Sequence, residues 1–172
     1  MSIRNKLLED ILAATTASEF QTQLVAASFS QQQPTGTDSP LQVEFGAAQG
    51  TGSDPVQLSS SGTVTINETR FYSITASFSL SRTTAVGESF LFIRLLINDV
   101  QDEEPIAAVM TDDNMTIPLQ LNRVGIFTSG TEIKVEVIID SSGIDNGGLS
   151  SFSATAPGWG SSASASLRIE TF

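Results

Sequence analysis

Residues 70–82 read RFYSITASFSLSR, and apolar and small polar side chains alternate along them. Successive side chains of a β-strand point to opposite faces of a sheet, so residues two apart share a face. One face of this stretch is apolar, whereas the other carries serine and threonine. The alternation predicts a strand that packs one face on a hydrophobic core and turns the other toward solvent. The apolar face consists of Tyr72, Ile74, Ala76, Phe78 and Leu80.

The same two-residue period extends over most of the chain from about Leu24. It is clearest in EIKVEVIID, residues 132–140, and in SSASASLRIETF, residues 161–172. The inward side chains predicted there are Ile133, Val135, Val137, Ile139, Ala163, Ala165, Leu167 and Ile169. Shorter apolar runs, among them LQVEF, PVQLS, TVTIN, PIAAVM, MTIPLQL and VGIFT, lie between loops rich in glycine, proline and serine. About eight to ten strands without an internal helix predict an all-β, antiparallel two-sheet sandwich.

The N-terminal segment departs from this pattern. In MSIRNKLLEDILAA the apolar residues recur at helical spacing, and Ser2 is suited to cap a helix. The apolar face consists of Ile3, Leu7, Leu8, Ile11 and Leu12. An isolated helix shorter than about 12–15 residues is marginal in water, so this helix needs its own domain, its copies in an oligomer or another protein to lie on. We therefore expect an amphipathic anchor over residues 1–19 and one head domain over residues 20–172.

The charge of the chain excludes several classes of partner. Eight lysines and arginines stand against nineteen acids, which gives a net charge of −11. Nucleic-acid binders concentrate positive charge, and anionic membrane surfaces attract it, so neither is an expected partner. No stretch approaches the length of a transmembrane helix, and Glu9 and Asp10 interrupt the first apolar run, which argues against a signal peptide. We expect synthesis in a cytoplasm.

The residue types needed for common catalytic sites are missing. The chain has no histidine and no cysteine, which excludes Ser-His-Asp and Cys-His catalysis and most zinc sites. The glycine-rich stretch GAAQGTGSD lacks the lysine and helix that follow in a phosphate-binding loop. A glycosidase pair of carboxylates has no support beyond the presence of acids. We expect a protein that is not an enzyme and that needs no cofactor.

Acidic residues form three clusters, at residues 99–104, 112–114 and 140–146. The favoured interpretation is that these are solvated loop tips, which keep the edges of a sandwich from pairing with other chains. The alternative is calcium, because carboxylate oxygens are the ligands that Ca²⁺ prefers. No cluster has the spacing of a known calcium loop. The candidate ligands are Asp112, Asp113, Asp140 and Asp145.

Residues 89–97, SFLFIRLLI, are apolar on both faces, which is unusual for a sandwich strand with one solvated face. Loops or the N-terminal segment could cover the second face. We favour a subunit interface, because large exposed apolar patches mark interaction sites. Arg94 would then meet an acid or a carbonyl, since an unpaired buried charge is costly. The predicted interface residues are Phe90, Phe92, Arg94 and Leu96.

The single tryptophan, Trp159, lies between two glycines in APGWGSS. The favoured interpretation is a loop plug that packs on the end of the sandwich. The alternative is a ligand-binding loop, because aromatic rings are enriched in binding surfaces as well as in cores.

The order of these segments resembles the C1q/TNF-like jelly roll over residues 20–172. The resemblance rests on TGTDSPLQVEF, PVQLSSSGTVTINETRFYSITASFSLSRT, SFLFIRLLINDVQ, GTEIKVEVIID and SASASLRIETF. The chain departs from the family pattern at ETRFY, where Arg70 precedes Phe71 and many members have a glycine two residues before the aromatic. The resemblance implies a ten-strand jelly roll that assembles as a tight homotrimer, with apolar strands lining the three-fold axis.

The opening MSIRNKLLEDILAATTAS resembles the start of several tailed-phage virion proteins. That resemblance implies a structural role in a virion, as a capsid decoration protein, head fibre or tail-tip component docked on the capsid through the N-terminal helix. The alternative is a trimeric receptor- or glycan-binding module whose far loops contact a host surface. A third hypothesis is a carbohydrate-active enzyme, which any measurable turnover of a carbohydrate would support.

Overall fold

A computed structural model describes residues 21–49, 55–82, 86–112 and 115–171. The predicted helix at residues 1–19 lies outside the described residues. The described part contains twelve strands and no helix that could cross a bilayer. The strands are β1 (Gln21–Ser28), β2 (Leu41–Gln42), β3 (Ala48–Gln49), β4 (Val56–Leu58), β5 (Val64–Ile66), β6 (Arg70–Ser81), β7 (Ser89–Ile97), β8 (Val100–Met110), β9 (Thr116–Phe127), β10 (Glu132–Ile139), β11 (Gly148–Leu149) and β12 (Ala165–Thr171).

The strands form two antiparallel sheets. Sheet A has the order β3, β1, β12, β6 and β9, and β11 pairs with the far end of β6. Sheet B has the order β4, β5, β10, β7 and β8, and β2 also pairs with β10. The chain crosses repeatedly between the sheets, and the first and last long strands, β1 and β12, lie side by side. This connectivity is that of a jelly roll.

The alternating segments form the core as predicted. All five apolar residues predicted on the inward face of β6 are buried, and the same holds for those of β10. On β12 the prediction is correct for Ala165, Leu167 and Ile169, whereas Ala163 precedes the strand and is half-buried. The ring of Phe78 lies 6.3 Å from that of Phe45, and the ring of Tyr72 lies 6.3 Å from that of Phe127.

The prediction that the acidic residues at 99–104 form a loop tip is wrong for most of them, because only Asp99 lies in a turn. Strand β8 begins at Val100 and includes Asp102, Glu103 and Glu104. The strand accommodates them at an irregularity in its pairing with β7, where Glu103 has a φ of 61°. Since β8 is the outer strand of sheet B, its acids still oppose edge-to-edge pairing with another chain.

The prediction of two separate short strands at MTIPLQL and VGIFT is also wrong, because most of both runs lies in one continuous strand, β9. Pro118 is tolerated in it since β9 is an edge strand, which leaves one side of its backbone without a neighbour. Arg123 lies on the same face of β9 as Leu121, and its Nε is 2.6 Å from Asp102 Oδ2 on β8. This ion pair joins the edges of the two sheets.

Candidate functional site

The outer face of sheet B carries the residues predicted for the trimer interface. Phe90, Phe92 and Arg94 are half-buried, and Leu96 is only 6% exposed. The loop after β10 lies close to Phe90, because a Cβ atom on Gly143 would come within 2.6 Å of the ring of Phe90. Much of the second apolar face of β7 is therefore covered within one chain. Its role as a subunit interface stays a prediction.

Arg94 finds its acid inside the chain. Its Nε and Nη2 donate to Glu136 Oε2 over 2.8 and 2.6 Å, across the pairing of β7 with β10. Both side chains are partly exposed. The expected ionic partner of Arg94 is present without a second subunit.

A cleft of about 300 Å³ opens beside this ion pair on sheet B. Its apolar lining comes from Pro40, Phe92, Pro105 and Ile138. Its remaining carboxylates have partners: Asp38 Oδ1 accepts the Ser141 N–H over 2.9 Å, and Asp140 accepts the N–H and the hydroxyl of Ser142. The hydrogen bonds from Ser142 lower the pKa of Asp140.

Lys134 lies on the same outer face, next to Leu96 in the pairing of β10 with β7. Its Nζ is 2.7 Å from Asp99 Oδ1 and 3.5 Å from Glu132 Oε2. The hydrogen bond to Asp99, followed by that to Glu132, raises the pKa of Lys134. The outer face of sheet B thus pairs its main charges with one another.

The outer face of sheet A has a different character. Along β6 it presents Ser73, Thr75, Ser77 and Ser79, and on β12 Arg168 pairs with Glu170 at 2.6 Å. At one corner three large apolar side chains are exposed instead. We call them the sheet A patch: Phe71, Val124 and Ile126, exposed by 39%, 49% and 73%.

The sheet A patch is contiguous by strand register. Phe71 is directly opposite Ile126, and Val124 is opposite Ser73, all on the outward face of the β6–β9 pair. This patch is not among the surfaces predicted from the sequence. Its signal was present in two pairs of adjacent apolar residues, Phe71–Tyr72 and Ile126–Phe127, which interrupt the alternation where one member of each pair must face outward.

Trp159 lies in a small hairpin between β11 and β12, and the loop-plug interpretation is wrong because the residue is 80% exposed. The hairpin is closed by the Ser162 N–H, which donates to Phe152 O over 2.7 Å, and by the Ala154 N–H, which donates to Gly160 O over 2.9 Å. We call residues 150–164 the aromatic hairpin. Trp159 and Phe152 line a shallow depression on it.

The predicted metal ligands do not converge. Asp112 and Asp145 are exposed, Asp140 is held by Ser142, and Asp113 lies outside the described residues. In the described ranges no three acidic side chains come close enough together to hold a metal ion. Calcium binding stays a prediction without support from this geometry. The helix residues Ile3, Leu7, Leu8, Ile11 and Leu12 also lie outside the described residues.

Comparison with known proteins supports the fold. No protein-family model matches this chain, and no curated protein matches it either. Among solved structures, the Eiger TNF of S. frugiperda is similar, with a TM-score of 0.55, 10% identity, and coverage of 89% of this chain and 92% of that one. The globular domain of the zebrafish complement 1qA protein gives a TM-score of 0.43 and 12% identity, with coverage of 87% and 95%. The similarity to Eiger TNF confirms the expected C1q/TNF-like jelly-roll fold.

Proposed function

We propose that this protein is a non-enzymatic jelly-roll module that works as a homotrimer, with the outer face of sheet A as the contact between copies. The observation that carries the proposal is the sheet A patch. Monomeric proteins rarely leave large apolar side chains exposed side by side, and such patches mark interaction sites. Burial of apolar surface stabilises an interface by roughly 25 cal/mol per Å².

The remainder of the sheet A face suits close packing against another copy. Its outward side chains on β6 are small hydroxyl residues, and Arg168 and Glu170 already neutralise each other. An interface there would bury few unpaired charges, which are the most costly groups to desolvate. Sheet B offers a poorer contact, because Leu96 is already covered and Arg94 and Lys134 would have to be desolvated with their partners.

The chemistry of the cleft on sheet B supports a role without catalysis. Glu136 is bound to Arg94, Asp38 to a backbone N–H and Asp140 to Ser142. The hydrogen bonds from Ser142 lower the pKa of Asp140, which moves it away from the neutral range in which a general base works best. These carboxylates hold the loops and strands together.

The position of Gln21 links assembly to attachment. Gln21 is opposite Thr171, Thr171 is opposite Tyr72, and Tyr72 is opposite Gly125, so Gln21 lies at the same end of sheet A as the sheet A patch, two strands away from β6. In a trimer that meets at this face, three N-terminal segments would start from the same end of the assembly. Linked segments bind with an avidity that exceeds their individual affinities.

We extend the proposal to a virion component, in which residues 1–19 dock on the capsid protein and the head acts as a decoration or fibre-type protein. The docking residues are Ile3, Leu7, Leu8, Ile11 and Leu12. Leu8→Asp should abolish co-sedimentation with capsids of the parent virus, because it places a charge in the apolar contact, and it should leave the mass of the head assembly unchanged. Retained attachment would contradict the docking role while leaving the trimer untouched.

The first experiment is light scattering on the full chain and on a truncated chain that begins at Ser18. Each should have three times the mass of its own chain, which is 18.2 kDa for the full chain. A monomeric full chain would overturn the proposed assembly. If only the full chain is a trimer, the N-terminal segment bundles the copies and the sheet A face loses its role.

A further inference from the structure

We propose that the aromatic hairpin is a binding site for a neutral carbohydrate. Trp159 is 80% exposed and Phe152 is 45% exposed, and both line a depression of about 410 Å³. Two large aromatic side chains are thus held in water at one small site. Small-molecule sites have volumes of roughly 300–1,000 Å³ and are lined mainly by hydrophobic and aromatic side chains with a few polar groups.

The aromatic hairpin is held in shape before any ligand arrives. Besides the two backbone hydrogen bonds that close it, Ser153 Oγ lies 2.7 Å from Ser161 Oγ, and Ser151 Oγ donates to Ser162 O over 2.7 Å. Its base is fixed to β6 and β1, because the Ser150 N–H donates to Ser79 O and the Ser164 N–H donates to Ser28 O. A site that is already ordered loses little conformational entropy on binding.

The charge of this region selects the ligand class. Residues 146–167 contain no aspartate, glutamate, lysine or arginine, in a chain with a net charge of −11. Phosphate, carboxylate and cationic ligands would find no ionic partner on these residues. The depression offers instead two aromatic side chains and the hydroxyl groups of Ser153, Ser161 and Ser162. A sugar ring matches this surface, since its C–H face packs on an aromatic ring while its hydroxyl groups exchange hydrogen bonds.

The size of the site argues against a protein partner. A stable protein interface buries about 800 Å² on each partner. Around Trp159 the neighbouring residues are glycine, serine and alanine, and Phe152 is the one other large apolar side chain that lines the depression. The large apolar surface at this site is therefore limited to the two aromatic side chains.

The site lies at the other end of β6 from the sheet A patch. Phe71 begins the outward face of β6, and Ser79, to which the aromatic hairpin is attached, lies eight residues further along the strand. At about 3.4 Å per residue this separation is roughly 27 Å. The inference therefore does not depend on the trimer, and the failure of either proposal leaves the other standing.

The experiment uses the fact that Trp159 is the single tryptophan. Full-length protein is titrated with neutral glucose, galactose, mannose and N-acetylglucosamine oligosaccharides, and with sialylated and sulfated oligosaccharides as charged comparisons, while tryptophan emission is recorded. A neutral oligosaccharide should give a saturable blue shift and protect the indole from acrylamide quenching. Absence of a saturable shift at about 10 mM, well above a weak millimolar Kd, overturns the proposal. Preference for a charged sugar overturns it as well.

Variants test whether the aromatic rings form the site. By calorimetry, Trp159→Ala should weaken binding at least roughly tenfold, Phe152→Ala should weaken it severalfold, and Trp159→Phe should retain most of it. Val100→Ala is the matched control, because Val100 is an exposed apolar residue at the start of β8, and this variant should bind as the parent does. Equal binding by all four variants contradicts the proposal. So does a blue shift that follows protein concentration without sugar, which would mark the hairpin as a contact between copies.

Discussion

Val109 on β8 and Val124 on β9 are exposed to nearly the same degree, 45% and 49%, but they lie on opposite outer faces of the sandwich. Val109 is opposite Phe90, on a face whose arginine and lysine are paired with acids of the same chain. Val124 lies next to Phe71 and Ile126, which are themselves exposed. The number of apolar residues in a strand therefore does not identify an interface. What distinguishes the two faces is whether neighbours in the same chain cover the apolar groups.

The largest expected effect is on assembly. Val124→Glu places a charge in the sheet A patch, the apolar part of each proposed contact between copies. The dissociation constant of the trimer should rise at least roughly 100-fold, which corresponds to a loss of about 2.7 kcal/mol in the free energy of association. Sedimentation equilibrium across a range of protein concentrations measures it, and far-ultraviolet circular dichroism checks that the strands remain folded.

Val109→Glu is the control for that experiment, because it makes the same change at a matched exposure on the other face. It should leave the mass of the assembly unchanged. The opposite result, in which Val109→Glu dissociates the assembly and Val124→Glu does not, would move the interface to sheet B and support Phe90, Phe92, Arg94 and Leu96 as its residues.

A smaller effect is expected when the main ion pair of sheet B is broken. Arg94→Met leaves Glu136 partly buried without its two hydrogen bonds, and should lower the free energy of unfolding by about 1 kcal/mol. The mass should not change. Urea unfolding measures the effect, and a double-mutant cycle with Glu136→Gln isolates the interaction between the two side chains.

Arg168→Met provides the comparison on sheet A. Arg168 is more exposed than Arg94 and bonds Glu170 two residues away on its own strand, so the loss of the pair should change the free energy of unfolding by less than about 0.5 kcal/mol. If Arg94→Met and Arg168→Met lower the free energy of unfolding equally, the Arg94–Glu136 pair stabilises the fold no more than the exposed pair on sheet A does.

Local alternation was enough to predict the core, because β6 and β10 each carry their whole burial pattern within one strand. It failed where the partner of a residue is distant in the sequence. The acids of β8 were predicted to lie in a loop, because the sequence does not show the irregular pairing of β8 with β7 or the ion pair between Asp102 and Arg123. Arg123 likewise divided β9 into two apparent runs.

The same limit explains which surfaces the sequence could predict. The apolar character of β7 is contiguous in sequence and was recognised, but its covering by Glu136 and by the loop at Gly143 depends on the fold. The sheet A patch joins Phe71 to Val124 and Ile126 only through the pairing of β6 with β9. Trp159 was recognised as a single aromatic residue, but its exposure depends on how the aromatic hairpin closes.

The smallest expected effect is on stability at high pH, and it also compares the two sheets. On the outer face of sheet B, Asp99 and then Glu132 raise the pKa of Lys134 above its ordinary value of 10.5. In sheet A, burial raises the pKa of Tyr72 above 10.0. A group whose pKa is higher in the folded state contributes stability that is fully present below its unfolded pKa and is lost as the pH rises through its folded pKa.

Both groups therefore predict a fall in stability that begins near pH 10, but for opposite reasons, since Lys134 is stabilised in its charged form and Tyr72 in its neutral form. Urea midpoints measured between pH 8 and pH 11.5, an interval that spans the ordinary pKa values of both groups, should decline less steeply for Lys134→Met and for Tyr72→Phe than for the parent. Salt separates the two, because the partner of Lys134, Asp99, is exposed and their attraction is screened, whereas burial of the Tyr72 ring is not affected by salt. High salt should reduce the difference between the parent and Lys134→Met in how far the urea midpoint falls at alkaline pH. If that difference is the same at low and high salt, the Lys134–Asp99 pair is not its source.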